Sequence, residues 1–261
     1  MKKELQNFEK LLSIMDKLRE ECPWDKKQTF ESLRYLTIEE VYELADAVLD
    51  NNHQDINGEL GDLMLHLVFY AKLGSEAGTF DMNSVLEGIN KKLIERHPHV
   101  FGDVKVANEQ DVKENWEKIK LNLGKKGVLD GVPVSLPSLV KAFRVQEKAK
   151  GVGFEWETHG QVWEKVVEEL NEFRVETESG KSTEKTEEEF GDLLFALINY
   201  GRFLNINAEN ALEKTNRKFI RRFKAMEELA KSRGLKFEYL NLEQQDNLWE
   251  EVKKEEKKKA D

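Results

Sequence analysis

The 261-residue chain carries one succession of segments twice. IEEVYELAD at 38–46 pairs with VEELNEFRV at 167–175, and GELGDLM at 58–64 with EEFGDLL at 188–194. LEGINKKLIERH at 86–97 pairs with LEKTNRKFIRRF at 212–223, and NWEKIK at 115–120 with LWEEVK at 248–253. The kept order and near-constant separation point to a duplicated module. Any fold must therefore be one that half the chain can form.

That fold is expected to be all-α. Apolar residues recur at three and four, as in Leu60, Leu63, Leu67 and Ala71, or Phe190, Leu193, Leu194 and Leu197. The prolines are Pro23, Pro98, Pro133 and Pro137, so 138–261 is free of the strongest helix breaker. The pattern predicts helices near 4–21, 30–50, 55–74 and 82–97, with a further turn or helix near 109–122. The second copy reads as helices near 138–149, 160–178, 184–204, 208–233 and 243–256. LGKKGVLDGVPVSLPSL at 123–139 concentrates glycine, proline and serine. It divides the chain into an N-terminal module (1–123), a linker (124–137) and a C-terminal module (138–261). The charged tail EEVKKEEKKKAD is expected to fray.

A net charge of −10 disfavours a broad nucleic-acid or acidic-membrane surface. It leaves room for a small anion held through metal ions, which reverse the local sign. A single cysteine, Cys22, excludes an intrachain disulfide and a thiolate zinc site. The N-terminal MKKELQNFEKLLSIMDKLREE lacks the apolar core of a signal peptide, and no stretch of eighteen apolar residues occurs. The cytoplasm is the expected compartment, with no membrane partner.

The chemistry lies in the acidic residues. Glu168, Glu169 and Glu172 share one helix, and Glu189 and Asp192 repeat the i, i+3 spacing on the next. An antiparallel hairpin through TESGKSTEK brings the two sets together. Clustered carboxylates repel unless protonated or shared by cations, and all-oxygen ligands suit Mg²⁺ or Mn²⁺. One Glu-x-x-Glu alone would read as a solvated ion-pair surface. Two features oppose that reading: Glu189 and Asp192 stand among Phe190, Leu193 and Leu194, and the pattern recurs as Glu39, Glu40, Glu43, Glu59 and Asp62. Gly61 and Gly191 sit inside these helices at a cost of about 1 kcal/mol relative to alanine. A close helix–helix approach is the expected reason. Asn216, Lys218 and Arg222, with counterparts Asn90, Lys92 and Arg96, suggest phosphate contacts. Trp249 and Trp116 recur late in each copy, either to stack on a base or to cover a core edge.

These acidic sets, with CPWDKKQTFESL at 22–33 and ERHPHVFGD at 95–103, resemble the MazG family of nucleoside triphosphate pyrophosphohydrolases over nearly the whole chain. The resemblance implies two tandem helical modules whose four-helix bundles are completed by homodimerisation. It implies Mg²⁺-dependent hydrolysis of NTPs and dNTPs to monophosphate and diphosphate. The implied C-terminal metal ligands are Glu169, Glu172, Glu189 and Asp192, and the N-terminal ones Glu40, Glu43, Glu59 and Asp62. Glu168 and Glu188 would be outer groups or orient water. Lys185, Lys218 and Arg222 would hold phosphates, and Trp249 would lie near the nucleotide. Broad specificity and clearance of the nucleotide pool complete the expectation. A selective dUTP, dCTP or phosphoribosyl-ATP enzyme and a non-catalytic nucleotide or metal sensor are the alternatives. A di-iron site is disfavoured because it needs Glu-x-x-His, and His53, His66, His97, His99 and His159 form no evident cluster. No glycine-rich phosphate loop is present.

The copies are unequal. Aligning Glu59 with Glu189 sets Asp55 against Lys185, Gly58 against Glu188 and Phe69 against Asn199. The first copy thus lacks a phosphate cation, an acid and a polar group, and the C-terminal copy is expected to carry most of the hydrolysis. Expressed separately, 136–261 should release diphosphate faster than 1–125. Equal turnover from the two would refute the asymmetry.

Overall fold

The computed structural model describes residues 2–106, 112, 127–180 and 182–260. No strand occurs among the described residues. The expected helix near 109–122, Trp116 and the module boundary at 123 lie outside them. The chain divides into two compact units, Met1–Val106 and Ala107–Asp261.

The first unit contains α1 (Lys3–Glu21), α2 (Phe30–Leu49), α3 (His53–Glu76), α4 (Met82–Arg96) and the single turn α5 (Pro98–Phe101). Short polar side chains start three of them. Thr29 and Ser32 form a capping box on α2, Asp81 and Ser84 another on α4, and Asn52 Oδ1 accepts from Gln54 N and Asp55 N on α3. The core gathers Met15 from α1, Leu33 from α2, and Val68, Phe69 and Leu73 from α3. Arg19 ties the end of α1 to the end of α3 through two bonds to the Glu76 carboxylate, at 3.1 and 2.5 Å.

The second unit contains α6 (Ser138–Lys150), α7 (His159–Ser179), α8 (Thr183–Phe203), α9 (Ala208–Ser232) and α10 (Leu242–Ala260). A Thr158–Gln161 capping box opens α7, and Gly180 at φ +60° ends it, a left-handed conformation suited to glycine. The chain turns back there, and α8 begins under a Ser182 cap. Val166 of α7 packs on Leu193 and Ala196 of α8, with Phe173 and Tyr200 alongside. A second apolar group, Met226, Ala230, Leu248 and Val252, joins α9 to α10. Residues before α6 are anchored to it: Lys148 Nζ donates to the Val128 carbonyl at 3.1 Å, and Lys141 Nζ to the Val134 carbonyl at 2.6 Å.

The reading of the two helical glycines is corrected. A Cβ built on Gly61 or Gly191 meets no atom within 4 Å. Both lie on exposed faces of α3 and α8, so no close approach inside either unit requires them. The same exposed surfaces carry apolar side chains, among them Val41, Tyr42, Leu60 and Leu67 in the first unit.

The Arg19 guanidinium holds the Glu76 carboxyl below the usual carboxylate range, chiefly by hydrogen bonding. The unfolded chain therefore binds this proton more readily, so the pair's contribution is present above the ordinary carboxylate pKa and lost as pH falls through the lowered one. Urea unfolding of Glu76→Gln should show a weaker loss of stability on acidification from about pH 5 to pH 3 than the parent chain. An unchanged acid dependence would refute the coupling.

Candidate functional site

The α7–α8 hairpin sets its two acidic pairs face to face. Carboxylate oxygens of Glu169, Glu172 and Glu189 all lie within 4.8 Å of one another. Glu169 is buried, at 7% exposure, while Glu172 is exposed. Burial pushes the Glu189 carboxyl above its usual range, and Glu172, Asp192, Glu169 and Glu188 push it further. Asp192 thus acts on the cluster electrostatically, and Glu188 stands exposed beside it.

One cation is already present. Lys165, one turn before the first acidic pair, reaches Glu169 Oε1 at 2.6 Å and Glu168 Oε1 at 2.9 Å. Hydrogen bonds to those carboxylates, Glu168 first, raise the Lys165 ammonium well above its ordinary pKa. The sequence reading missed this residue. Its signal was modest: Lys165 aligns with Leu36 when Glu169 is aligned with Glu40.

A cavity of about 610 Å³ runs from this cluster between α6, α7 and α8. Lys165, Glu169 and Asp192 line its polar end, and Phe154, Trp156 and Phe195 are part of its apolar wall. Asn199 and Arg202 complete a polar edge. Arg202, 9% exposed, binds both Glu155 carboxylate oxygens at 2.7 Å and also donates to Asn199 Oδ1 at 2.7 Å. Asn199 is therefore fixed with its oxygen committed. KGVGFEW at 150–156, glycines beside two aromatics, was the sequence trace of this wall.

The phosphate candidates are placed less uniformly. Lys185 lies exposed in the first turn of α8, and Lys218 is exposed on α9. Asn216 Nδ2 donates to Glu213 at 3.4 Å. Arg222 pairs with Glu256 at 2.8 Å and stands over the Trp249 ring at 5.8 Å. Trp249 packs with Phe219, ring centroids 5.3 Å apart, and against the α9–α10 core. Neither Arg222 nor Trp249 lines the cavity beside the carboxylates.

The first unit repeats the carboxylates, with different residues at two positions aligned with the cavity wall. Oxygens of Glu40, Glu43 and Glu59 lie within 4.8 Å of one another. Burial, then Asp62 and Glu43, raise Glu40; burial, then Glu43 and Glu40, raise Glu59. The Glu40 and Glu59 carboxyls share a hydrogen bond, yet Glu59 Oε2 is buried without a partner. A proton or a cation would relieve both clusters. Where the second unit places Ala196 and Asn199, the first has His66 and Phe69, 8% and 2% exposed. Phe69 packs with Leu33 and Val68, and His66 Nδ1 lies 2.8 Å from Thr37 Oγ1. By sequence alignment these larger side chains stand at the positions of two residues that line the cavity in the second copy.

Both clusters suit a hard divalent ion, since all donors are carboxylate oxygens and their mutual repulsion is at most partly offset, by Lys165 in the second unit. Comparisons with known proteins find relatives along the whole chain and a family match to each copy of the repeat. A crystal structure of a mazG-related protein from Thermotoga maritima superposes with a TM-score of 0.39 and 26% identity, covering 43% of this chain and 98% of that one. A nucleoside triphosphate pyrophosphohydrolase of Escherichia coli is 42% identical over 260 residues, 97% of this chain and 99% of that protein. The nucleoside triphosphate pyrophosphohydrolase/pyrophosphatase MazG of Thermotoga maritima is 46% identical over 251 residues, 94% of this chain and 95% of that protein. The family described as the MazG nucleotide pyrophosphohydrolase domain matches residues 28–101 and 157–226. With two such matches along its length, the chain belongs to the MazG family.

Proposed function

We propose that the chain is a cytoplasmic, Mg²⁺-dependent nucleoside triphosphate pyrophosphohydrolase that converts NTPs and dNTPs with water to monophosphates and diphosphate. We assign most of the activity to the second unit. The observation that carries this reading is the Glu169–Glu172–Glu189 cluster joined, through Glu169, to a cavity that Asp192 also lines and that has an apolar wall. A nucleotide has the matching form, a flat base at one end and a polyanion at the other. Family membership and the names of the two near full-length relatives support the same chemistry.

Glu169, Glu172, Glu189 and Asp192 would hold the metal, with Mn²⁺ as a substitute. When bound, it supplies charge neutralisation of the triphosphate and activation of water. Glu188 is the candidate acceptor for the water proton, because Glu168 is engaged by Lys165. Lys185 and Lys218 are exposed and free to approach phosphate oxygens. Arg222 must share or leave Glu256 to do so. Glu40, Glu43, Glu59 and Asp62 would bind metal in the first unit. Homodimerisation would cover the apolar side chains exposed on α2 and α3. Broad base tolerance and a role in clearing the nucleotide pool belong to this proposal. A panel of NTPs, dNTPs and phosphoribosyl-ATP with product identification separates it from a selective relative.

Glu172→Ala and Asp192→Ala should each lower diphosphate release at least about a hundredfold with helicity unchanged. Full activity in both folded variants would overturn the metal assignment. The raised Glu189 carboxyl gives a second test. Its contribution to the metal-free fold is present below the ordinary carboxylate pKa and lost as pH rises through the raised one. Mg²⁺ should therefore increase the melting temperature more at about pH 7.5 than at about pH 5, where protons compete for the ligands. An equal increase at both pH values would contradict the assignment.

A further inference from the structure

The two acidic hairpins differ in what stands against them. In the second unit Lys165 Nζ lies 2.6 Å from Glu169 Oε1 and 2.9 Å from Glu168 Oε1. In the first unit the aligned residue is Leu36, packed on the core of Met15 and Leu33. The charges that act on Glu40 and Glu59 there are carboxylates. Oxygens of Glu40, Glu43 and Glu59 nevertheless lie within 4.8 Å of one another. A lysine is therefore not needed to fold such a hairpin, and Lys165 calls for a different explanation.

The atom it holds supplies one. Glu169 is the buried member of its cluster, at 7% exposure, and it also lines the cavity. A divalent ion bound by Glu169 must take an oxygen from Lys165 or share the carboxylate with an ammonium. The first breaks an ion pair, and the second sets two cations against each other. Neither cost is prohibitive, because the Lys165 side chain is 37% exposed and its flexible stem lets the ammonium turn to water. A divalent ion that arrives with a triphosphate meets a lower cost. The polyanion gives the displaced ammonium a negative charge to face, and Lys165, Glu169 and Asp192 all line one cavity.

Resting on the metal assignment above, we propose that Lys165 is a tethered competitor for the metal. It keeps the second-unit site weak toward the free divalent ion and couples metal entry to nucleotide entry. Linkage makes the coupling reciprocal: whatever factor the nucleotide adds to metal affinity, the metal adds to nucleotide affinity.

The test is calorimetric titration of the full chain with Mn²⁺, without nucleotide. Lys165→Met keeps an unbranched side chain and removes the charge. It should tighten one class of sites about fivefold or more, the scale of one partly exposed ion pair. Lys165→Arg keeps the charge and should stay within about twofold of the parent chain. Glu172→Gln on the Lys165→Met background should abolish the tightened class, which assigns it to the second unit. With α,β-methylene-ATP present, the parent chain and Lys165→Met should converge to within about twofold. Protein that fails to fold lowers the stoichiometry and leaves the affinity unchanged. Equal Mn²⁺ affinity in the parent chain and Lys165→Met would overturn the proposal while leaving the hydrolase reading intact. So would a gain that Lys165→Arg shares, or one that the analogue leaves undiminished. Mn²⁺ binding untouched by Glu172→Gln in both backgrounds would overturn the metal assignment and this proposal together.

Discussion

Carboxylate repulsion across the α7–α8 hairpin is the constraint around which the second unit is organised. Glu169, Glu172 and Glu189 would separate if the helices were free to splay. They are held because the rest of that inter-helix face is apolar: Val166 packs on Leu193 and Ala196, with Phe173 and Tyr200 alongside. The turn at Gly180 and the Ser182 cap fix where each helix ends and begins, and so the register of the two acidic pairs. Lys165 offsets part of the repulsion while leaving oxygens free for a divalent ion. The hairpin thus stores an unfavourable arrangement that a cation makes favourable.

The same backbone logic serves two ends in one chain. In the first unit the carboxylates recur, but Phe69 and His66 sit where the second unit has Asn199 and Ala196. Phe69 there packs into the core with Leu33 and Val68. The second unit instead spends its polar residues on Arg202, Glu155 and Asn199, which hold one another in fixed orientation along the cavity. The difference between the units lies in the space beside the metal ligands more than in the ligands themselves.

Helices and acidic pairs were legible in the sequence because both depend on local periodicity. Leu193, Leu194 and Leu197 mark a helix face whatever packs on it, and Glu189 and Asp192 share a face by spacing alone. Repetition strengthened both readings. What could not be read depends on partners distant in the chain. Gln146 meets Phe195, and Glu155 meets Arg202, only after α6 and the segment that follows it have docked on α8. Lys165 was hidden for a different reason: a lysine beside glutamates on a helix is the commonest pattern on any solvated surface. The helical glycines gave the wrong expectation within each unit: rarity inside a helix suggested tight packing, whereas a Cβ on Gly61 or Gly191 meets no atom of the chain within 4 Å.

The buried Phe69 of the first unit has a consequence for how the duplicated chain tolerates substitution. Side chains around a cavity lack contacts that a filled core supplies, so the hollow in the second unit forgoes dispersion energy. Placing bulk at Asn199, the position aligned with Phe69, is a short mutational route to a firmer fold, and it narrows access for a ligand. A duplicated module can accept the loss in one copy because the other keeps the opening, and each copy is then under a different selective demand: one to stay packed, the other to stay hollow.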